Sequence, residues 1–394
     1  MTTMQLDAVS STTRSSSSPL LPGATIGIFG SGQLGRMFTQ AAQRMGYRVH
    51  LFSTDQASPT GQVADLQYSG AYEDLDAVAD FARKVEVITF EFENVPLAAV
   101  DRAQQLVPVR PSPTVLKTVQ HRVREKRFLK QIGITCTPFR AVSSESDLQE
   151  AVSALGCPAV LKTAEEGYDG KGQVRIDKAE DAVSAWKSIG SAEAILEGFI
   201  DFSCELSILA ARGTDGAIAT YGPIGNQHDQ HILDVSTVPL PALAKVGPKA
   251  IEIARQIVTQ LDVVGIICVE FFLTKDDQLF VNEIAPRPHN SGHLTIDAFV
   301  TSQFEQQVRT VCGMPLGTTV QTGPAAMANL LGDLWCDGEP NWQRVLQIPE
   351  IKLHLYGKES ARPGRKMGHL TALADTAEEA ERMVRQAREL LTTR

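Results

Sequence analysis

At 394 residues the chain is long enough for two or three domains and a sizeable core. Its 43% hydrophobic and 21% charged residues are ordinary for a globular protein, and a net charge of -9 argues against a general nucleic-acid surface. No apolar run approaches the roughly 18 residues that would span a bilayer, so no membrane partner is expected.

Residues 1–23 are rich in Ser and Thr and lack the apolar stretch of a secretory signal, which predicts a disordered tail. The six cysteines, Cys136, Cys157, Cys204, Cys268, Cys312 and Cys336, are scattered with no C-x-x-C pair. Free thiols in a reducing, cytoplasmic compartment are the simplest reading.

The first ordered segment, 25–29, reads as a buried strand. Gly30-Ser-Gly-Gln-Leu-Gly35 follows it and opens a helix over 36–45. A strand at 47–52, a helix around Leu75, Val78 and Phe81, and a strand at 85–90 continue the alternation. Alternating strands and helices predict an α/β domain with a parallel sheet. The glycine stretch matches the G-x-G-x-x-G dinucleotide fingerprint, and Asp55 lies at about the right distance for a ribose-binding acid. Asp55 falls in a Pro/Ser/Thr-rich turn beyond the strand tip, however, so NAD binding and a packing turn both stay open.

Pro108, Pro111 and Pro113 mark a boundary, and one helix is predicted over 113–132. A strand at 158–162 ends on Lys162 and is joined by the glycine-rich loop 166–172 to a strand at 173–176. Further strands are predicted near 192–199 and 205–211, a helix over 248–261, a strand at 352–356 and a final helix near 376–391.

Two apolar strands, 266–274 and 279–284, flank the polar loop Lys275-Asp-Asp-Gln278 and predict a hairpin. If Thr274 sits opposite Leu279, Glu270 falls opposite Glu283 on one face. Like charges so placed destabilise a sheet unless one acid keeps a proton or a cation lies between them. Mg²⁺ suits carboxylates combined with substrate phosphates, whereas a misread register leaves one Glu simply solvated.

Lys162 ends a strand otherwise made of Ala, Val and Leu, where a charge needs a partner; an anionic ligand is the expectation. The backbone of Gly167-Tyr-Asp-Gly-Lys-Gly172 can close over phosphate oxygens or form a plain hairpin turn. Glu197 and Glu205 read as ribose partners or as solvated acids. Two cation-rich stretches follow: 285–293, with Arg287, His289, Asn290 and His293, and 356–369, with Lys358, Arg362, Arg365, Lys366 and His369. The second suits a phosphomonoester or is a solvated basic loop.

In chain order the motifs are Gly-Ser-Gly-Gln-Leu-Gly-Arg-Met at 30–37, Thr-Phe-Glu-Phe-Glu at 89–93, Leu-Lys at 161–162 and Gly-Tyr-Asp-Gly-Lys-Gly-Gln at 167–173. Asn-Glu-Ile-Ala-Pro-Arg-Pro-His-Asn-Ser-Gly-His at 282–293 and Arg-Pro-Gly-Arg-Lys-Met-Gly-His at 362–369 complete the set. This set resembles the N5-carboxyaminoimidazole ribonucleotide synthetase family of the ATP-grasp superfamily, from about Ala24 to near the C-terminus.

The resemblance implies an ATP-grasp fold with a Rossmann-like domain over 24–112. An ATP-grasp domain over 113–310, with its lid at about 135–200, and a C-terminal subdomain over 311–394 would complete the substrate site. It implies that Arg122, Lys162, Gly167, Gly170, Gly172, Gln173, Glu197, Gly198, Phe199, Ile200, Glu205, His228, Asn282 and Glu283 contact ATP. Glu270 and Glu283 would hold Mg²⁺ or Mn²⁺. Tyr168, Asp169, Lys171 and Arg287 would lie at the chemistry, and Glu91, Glu93, His289, Asn290, Lys358, Arg365 and Lys366 on the ribonucleotide side.

The implied reaction makes carboxyphosphate from ATP and bicarbonate and then carboxylates 5-aminoimidazole ribonucleotide, in a homodimer. Ala285 stands where many ATP-grasp enzymes carry Asn, and the lid is not polyglycine, which sets the chain apart from biotin carboxylase. No fused carboxylase domain is expected after Arg394. Another ATP-grasp ligase or transformylase, an NAD-dependent oxidoreductase and a silent nucleotide-binding regulator are the alternatives.

Overall fold

The computed structural model describes residues 18–165, 167 and 171–392. Among the described residues the strands form three sheets. The first holds β1 (Thr25–Phe29), β2 (Arg48–Ser53), β3 (Leu66–Ser69) and β4 (Val87–Phe90), all parallel in the order β3-β2-β1-β4. All five residues of β1 are buried, as expected where helices cover both faces of a parallel sheet.

The second, antiparallel sheet falls within 135–200, where the lid is expected: β5 (Phe139–Val142), β6 (Ala159–Thr163), β7 (Gln173–Ile176) and β8 (Ala194–Gly198), ordered β5-β8-β6-β7. The third sheet has eight antiparallel strands. They are β9 (Phe202–Arg212), β10 (Ile218–Asp229), β11 (Ile232–Val238), β12 (Gly265–Thr274), β13 (Leu279–Ala285), β14 (Ala325–Leu331), β15 (Ile351–Leu355) and β16 (Lys366–Leu373). Their order, β13-β12-β9-β10-β11-β14-β16-β15, makes the C-terminal strands an extension of the same sheet that carries the Glu hairpin. The basic loop between β15 and β16 is thereby tied to the opposite end of that sheet.

Helix Gly247–Gln260 shows how the large sheet is covered. Pro248 starts it, and Ala250, Ile253, Ala254, Ile257 and Val258 form one apolar stripe buried in the cluster that includes Leu206, Ile208 and Val269.

Three expectations need correction. The predicted helix over 113–132 is two helices, Pro113–Val119 and Arg122–Gln131, because His121 is extended and the Gln120 amide donates to the carbonyls of Glu93 and Val95. The break puts Arg122 at the start of the second helix. Residues 18–23 are docked rather than a tail: Leu20 N–H donates to Cys312 O at 2.8 Å, and its carbonyl accepts from Tyr47 Oη at 2.7 Å. Residues 1–17 of the predicted tail lie outside the described residues. At the hairpin turn Leu273, not Thr274, faces Leu279, and the discrepancy is resolved within the site.

Candidate active site

The glycine loop after β1 already holds an anion, and it belongs to the chain. Glu91, one residue past β4, accepts hydrogen bonds from the N–H groups of Gly32 and Gly35, the latter at 2.7 Å. A carboxylate there satisfies orphan amides at a helix start that has no side-chain cap of its own. A Cβ on Gly32 would come within 2.8 Å of Glu91 Oε1, so this approach requires glycine. A pyrophosphate would need the same amides, which removes the dinucleotide reading. Asp55 accepts from Ser31 Oγ at 2.6 Å in the turn after β2. Burial pushes the Glu91 carboxyl up, against the pull of the Gly35 and Gly32 amides.

Two residues further on, Glu93 forms a bidentate pair with Arg287, Nε to Oε2 and Nη2 to Oε1, the latter at 2.9 Å. Burial would raise the Glu93 carboxyl, but the Arg287 charge and hydrogen bonds outweigh it and hold it low. This pair ties the first sheet to the loop after β13.

On the hairpin, Glu270 does face Glu283. The turn is offset by one residue from the predicted register, and a β-bulge that leaves Asn282 unpaired between Glu283 and Val281 restores the match. Glu283 Oε2 lies 3.1 Å from Arg122 Nη1, and Arg122 Nη2 donates to Gly167 O at 2.9 Å. Burial and the charge of Glu283 push Glu270 up; for Glu283 burial is outweighed by Arg122 and then Lys162, which hold it low. Glu270 Oε1 lies 3.1 Å from His289 Nε2.

Beneath the hairpin Lys162 has a partner within the protein, not only a prospective ligand: Glu197 Oε2 at 2.7 Å. Lys126, 1% exposed, sits 3.5 Å from the other Glu197 oxygen and donates to the carbonyls of Val281 at 3.3 Å and Asn282 at 2.5 Å. Burial alone would raise Glu197, but Lys126 and then Lys162 pull it down to about 2. Glu205 Oε2 pairs with His228 Nδ1 at 2.7 Å.

A cleft of about 820 Å³ runs from the glycine loop past Glu93, Arg287, Glu283 and Lys171 to Lys358, Arg362, Arg365 and Lys366. It joins the end of the Glu hairpin to the basic C-terminal loop across the large sheet. The side-chain oxygen and nitrogen of Asn290, in its wall, are buried without hydrogen-bond partners among the described residues. Gly292 lets this loop close onto β9, since a Cβ there would meet Leu209 at 2.7 Å.

Known proteins match this arrangement along nearly the whole chain. The ribonucleotide synthetase preATP-grasp domain matches residues 23–120, the ATP-grasp domain 127–304 and the phosphoribosylaminoimidazole carboxylase C-terminal domain 325–383. N5-carboxyaminoimidazole ribonucleotide synthase of Brucella melitensis is 44% identical over 90% of this chain and 97% of its own length. The Bacillus subtilis enzyme of that name is 40% identical over 91% and 94%. The chain belongs to the N5-carboxyaminoimidazole ribonucleotide synthase family.

A bifunctional purine synthesis protein of Dictyostelium discoideum is 42% identical over 92% of this chain, which spans 38% of that protein's length. Among solved structures, the Staphylococcus aureus synthetase with ADP superposes with a TM-score of 0.88 at 35% identity, over 94% of this chain and 98% of that one. The Aspergillus clavatus synthase, in complex with ADP and 5-aminoimidazole ribonucleotide, gives 0.86 at 29% identity, over 94% and 98%.

Within this ATP-grasp frame the expected residues divide into groups. Glu91, Glu93, Arg122, Gly167, Lys171, Glu283, Arg287, His289, Asn290, Lys358, Arg365 and Lys366 line the cleft. Lys162, Glu197, Gly198, Phe199 and Ile200 sit on β6 and β8 and at the crossing into β9, and Gln173 starts β7 beside Gly172. Glu205, His228, Glu270 and Asn282 lie on the large sheet. Tyr168, Asp169 and Gly170 fall outside the described residues.

Two residues of the basic stretches leave the site. His293 and His369 are wholly enclosed, and Nδ1 of His369 is held at 2.9 Å by Tyr356 Oη. Lys126 and Glu125, the latter accepting from Ile284 N–H at 3.0 Å, were not foreseen. A signal for Lys126 existed: Val123 and Leu129, three residues to either side, put it on the buried face of its helix.

Proposed function

We propose that this enzyme, an ATP-dependent carbon–nitrogen ligase of purine biosynthesis, carboxylates 5-aminoimidazole ribonucleotide at N5 with ATP and bicarbonate. The observation that carries the reading is the single cleft joining Glu283, Arg122 and Arg287 to the cationic loop of Lys358, Arg365 and Lys366.

Glu270 and Glu283 fit a divalent cation, Mg²⁺ or Mn²⁺: they are opposed like charges, and the buried Asn282 Oδ1 beside them lacks a partner among the described residues. When bound, the ion would neutralise phosphate charge in carboxyphosphate formation. The chain's own groups do the rest. Lys162 and Arg122 orient the ATP phosphates, Gly198, Phe199 and Ile200 hold the base at the crossing from lid to sheet, and Glu205 with His228 faces the ribose. Phosphoryl transfer needs such positioning more than covalent help from the protein.

Arg287, fixed by Glu93, meets bicarbonate and the imidazole in the middle of the cleft. Lys358, Arg365 and Lys366 clamp the ribonucleotide phosphate, and the amide of Asn290, without a partner among the described residues, faces the bound substrate. Keeping water from labile carboxyphosphate falls to the glycine-rich segment of Gly167, Tyr168, Asp169, Gly170, Lys171, Gly172 and Gln173, and Asp169 takes the amine proton. Three domains, 24–112, 113–310 and 311–394, share the work in a cytoplasmic homodimer.

The test is ADP release from Mg-ATP and bicarbonate with and without 5-aminoimidazole ribonucleotide. Turnover that requires the ribonucleotide is the expected result. ATP binding without any response to it would keep the fold and discard the acceptor.

A further inference from the structure

The basic loop between β15 and β16 turns at two glycines, and each is held from outside the loop. Gly357 and Gly364 have φ of 73° and 72°, a region glycine enters without strain. Gln62, between β2 and β3, donates from Nε2 to the Gly357 carbonyl at 2.7 Å. Its Oε1 accepts from Arg36 Nη1 at 2.6 Å, and the same nitrogen donates to Pro59 O at 3.1 Å. A Cβ on Gly357 would clash with Gln62 Oε1, so this approach also requires glycine. At the other turn, Gly364 N–H donates to Asp333 Oδ2 at 2.7 Å. Beside it Gly332 N–H donates to Arg365 O at 2.8 Å.

The two holds come from different parts of the molecule. Gln62 rides on a segment fixed to the glycine loop after β1: Thr60 N–H donates to Ser31 O at 3.0 Å, and Thr60 Oγ1 to Gly32 O at 2.7 Å. Asp333 stands in the turn that follows β14 of the large sheet. What they hold is a crowd of like charges. Lys358, Arg362, Arg365 and Lys366 stand within nine residues, against one acid, Glu359. Such cations repel one another until an anion lies among them. Bonds inside the loop aim two of the charged heads: Arg365 Nη1 donates to Ser360 O at 2.7 Å and to its Oγ at 2.9 Å, and Lys358 Nζ donates to Lys366 O at 2.7 Å.

We propose that Gln62, braced by Arg36, and Asp333 are positioning residues for the reaction. They fix the loop at Gly357 and Gly364 and so preform the site that Lys358, Arg365 and Lys366 offer to the ribonucleotide phosphate, a role that rests on the phosphate-clamp reading above. Each acts through a backbone group of the loop and not through the substrate. Holding a charged loop in its bound arrangement removes an ordering cost from binding. The proposal also gives Arg36, the arginine of the Gly-Ser-Gly-Gln-Leu-Gly-Arg-Met motif, a part in substrate binding that the glycine loop itself does not supply.

The test is steady-state kinetics of the full chain with Mg-ATP and bicarbonate, varying 5-aminoimidazole ribonucleotide. Gln62→Met keeps the side-chain length and lacks the N–H. Asp333→Ala lacks the acceptor, and Asp333→Asn restores it without the charge. Gln62→Met and Asp333→Ala should each raise the KM for the ribonucleotide by about two- to tenfold, in line with one hydrogen bond, and leave the KM for ATP unchanged. Asp333→Asn should stay near wild type. Charge alone predicts the opposite sign, because removing an acid beside the cations tightens phosphate binding. A KM in Asp333→Ala at or below wild type therefore overturns the positioning role. In a Lys358→Ala background Gln62→Met should add less than it does alone. A wild-type KM in Gln62→Met, an equal rise in the KM for ATP, Asp333→Asn as impaired as Asp333→Ala, or a full multiplicative effect on top of Lys358→Ala also overturns it, while the clamp itself stands. If Lys358→Ala leaves the ribonucleotide KM at the wild-type value, the clamp reading has failed and the proposal falls with it.

Discussion

Replacing Lys126 by methionine keeps the length of the side chain and removes a charge that touches three groups. In the structure its ammonium lies 3.5 Å from Glu197 and donates to the carbonyls of Val281 and Asn282 on either side of the bulge. Removing one partner of a buried ion pair costs about 3–5 kcal/mol. Lys162 still neutralises Glu197 at 2.7 Å, which places the loss at the lower end, about 3 kcal/mol. At about 2–4 °C per kcal/mol for a domain the size of the ATP-grasp match over 127–304, the midpoint should fall by about 6–12 °C. The freed bulge also loosens Asn282 and Glu283, so the KM for ATP should rise along with the loss of stability. Differential scanning calorimetry and initial rates read the two effects. A midpoint within about 1 °C of wild type together with an unchanged ATP KM would refute the role assigned to this lysine.

Three further outcomes are expected. Glu283→Gln should abolish ATP turnover with Mg²⁺, measured as ADP release; near-normal turnover would remove Glu283 from the metal site. Lys358→Ala should raise the KM for 5-aminoimidazole ribonucleotide far more than that for ATP, and equal losses would undo the phosphate clamp. The third concerns acid stability. The Glu197 carboxyl, which burial would raise, is held by Lys126 and Lys162 at about 2 against an ordinary 4.5. Its folded-state value is depressed, so it contributes stability above pH 4.5 that is lost as pH falls toward 2. Urea midpoints should therefore drop more steeply on acidification in wild type than in Glu197→Gln, and parallel curves would contradict the pairing.

Local patterns made much of this molecule legible. The alternating strands and helices of the first sheet, the strands around Lys162 and the Glu270–Glu283 pairing all follow from periodicity and turn chemistry acting over a few residues. The hairpin was legible through two compensating offsets, a turn shifted by one residue and a bulge at Asn282, because side-chain facing depends only on the net register. Strand β14 was not legible: Ala-Ala-Met-Ala-Asn-Leu-Leu favours a helix locally, and pairing with β11 and β16 overrides that preference.

Residue type in the sequence limited the candidate chemistry, as with paired acids in an apolar hairpin or cations crowded on one loop. Tertiary structure alone decided which partner each charged group keeps. Glu91 meets the amides of the glycine loop, Lys162 found Glu197, and His289 came within 3.1 Å of Glu270. Gln62 and Asp333 are unremarkable where they stand in the chain, and only the fold brings them to Gly357 and Gly364. Period and propensity act between neighbours along the chain, whereas the pairing of buried polar groups is set by desolvation. That cost can be met by any partner the fold brings within about 3 Å, however distant in sequence.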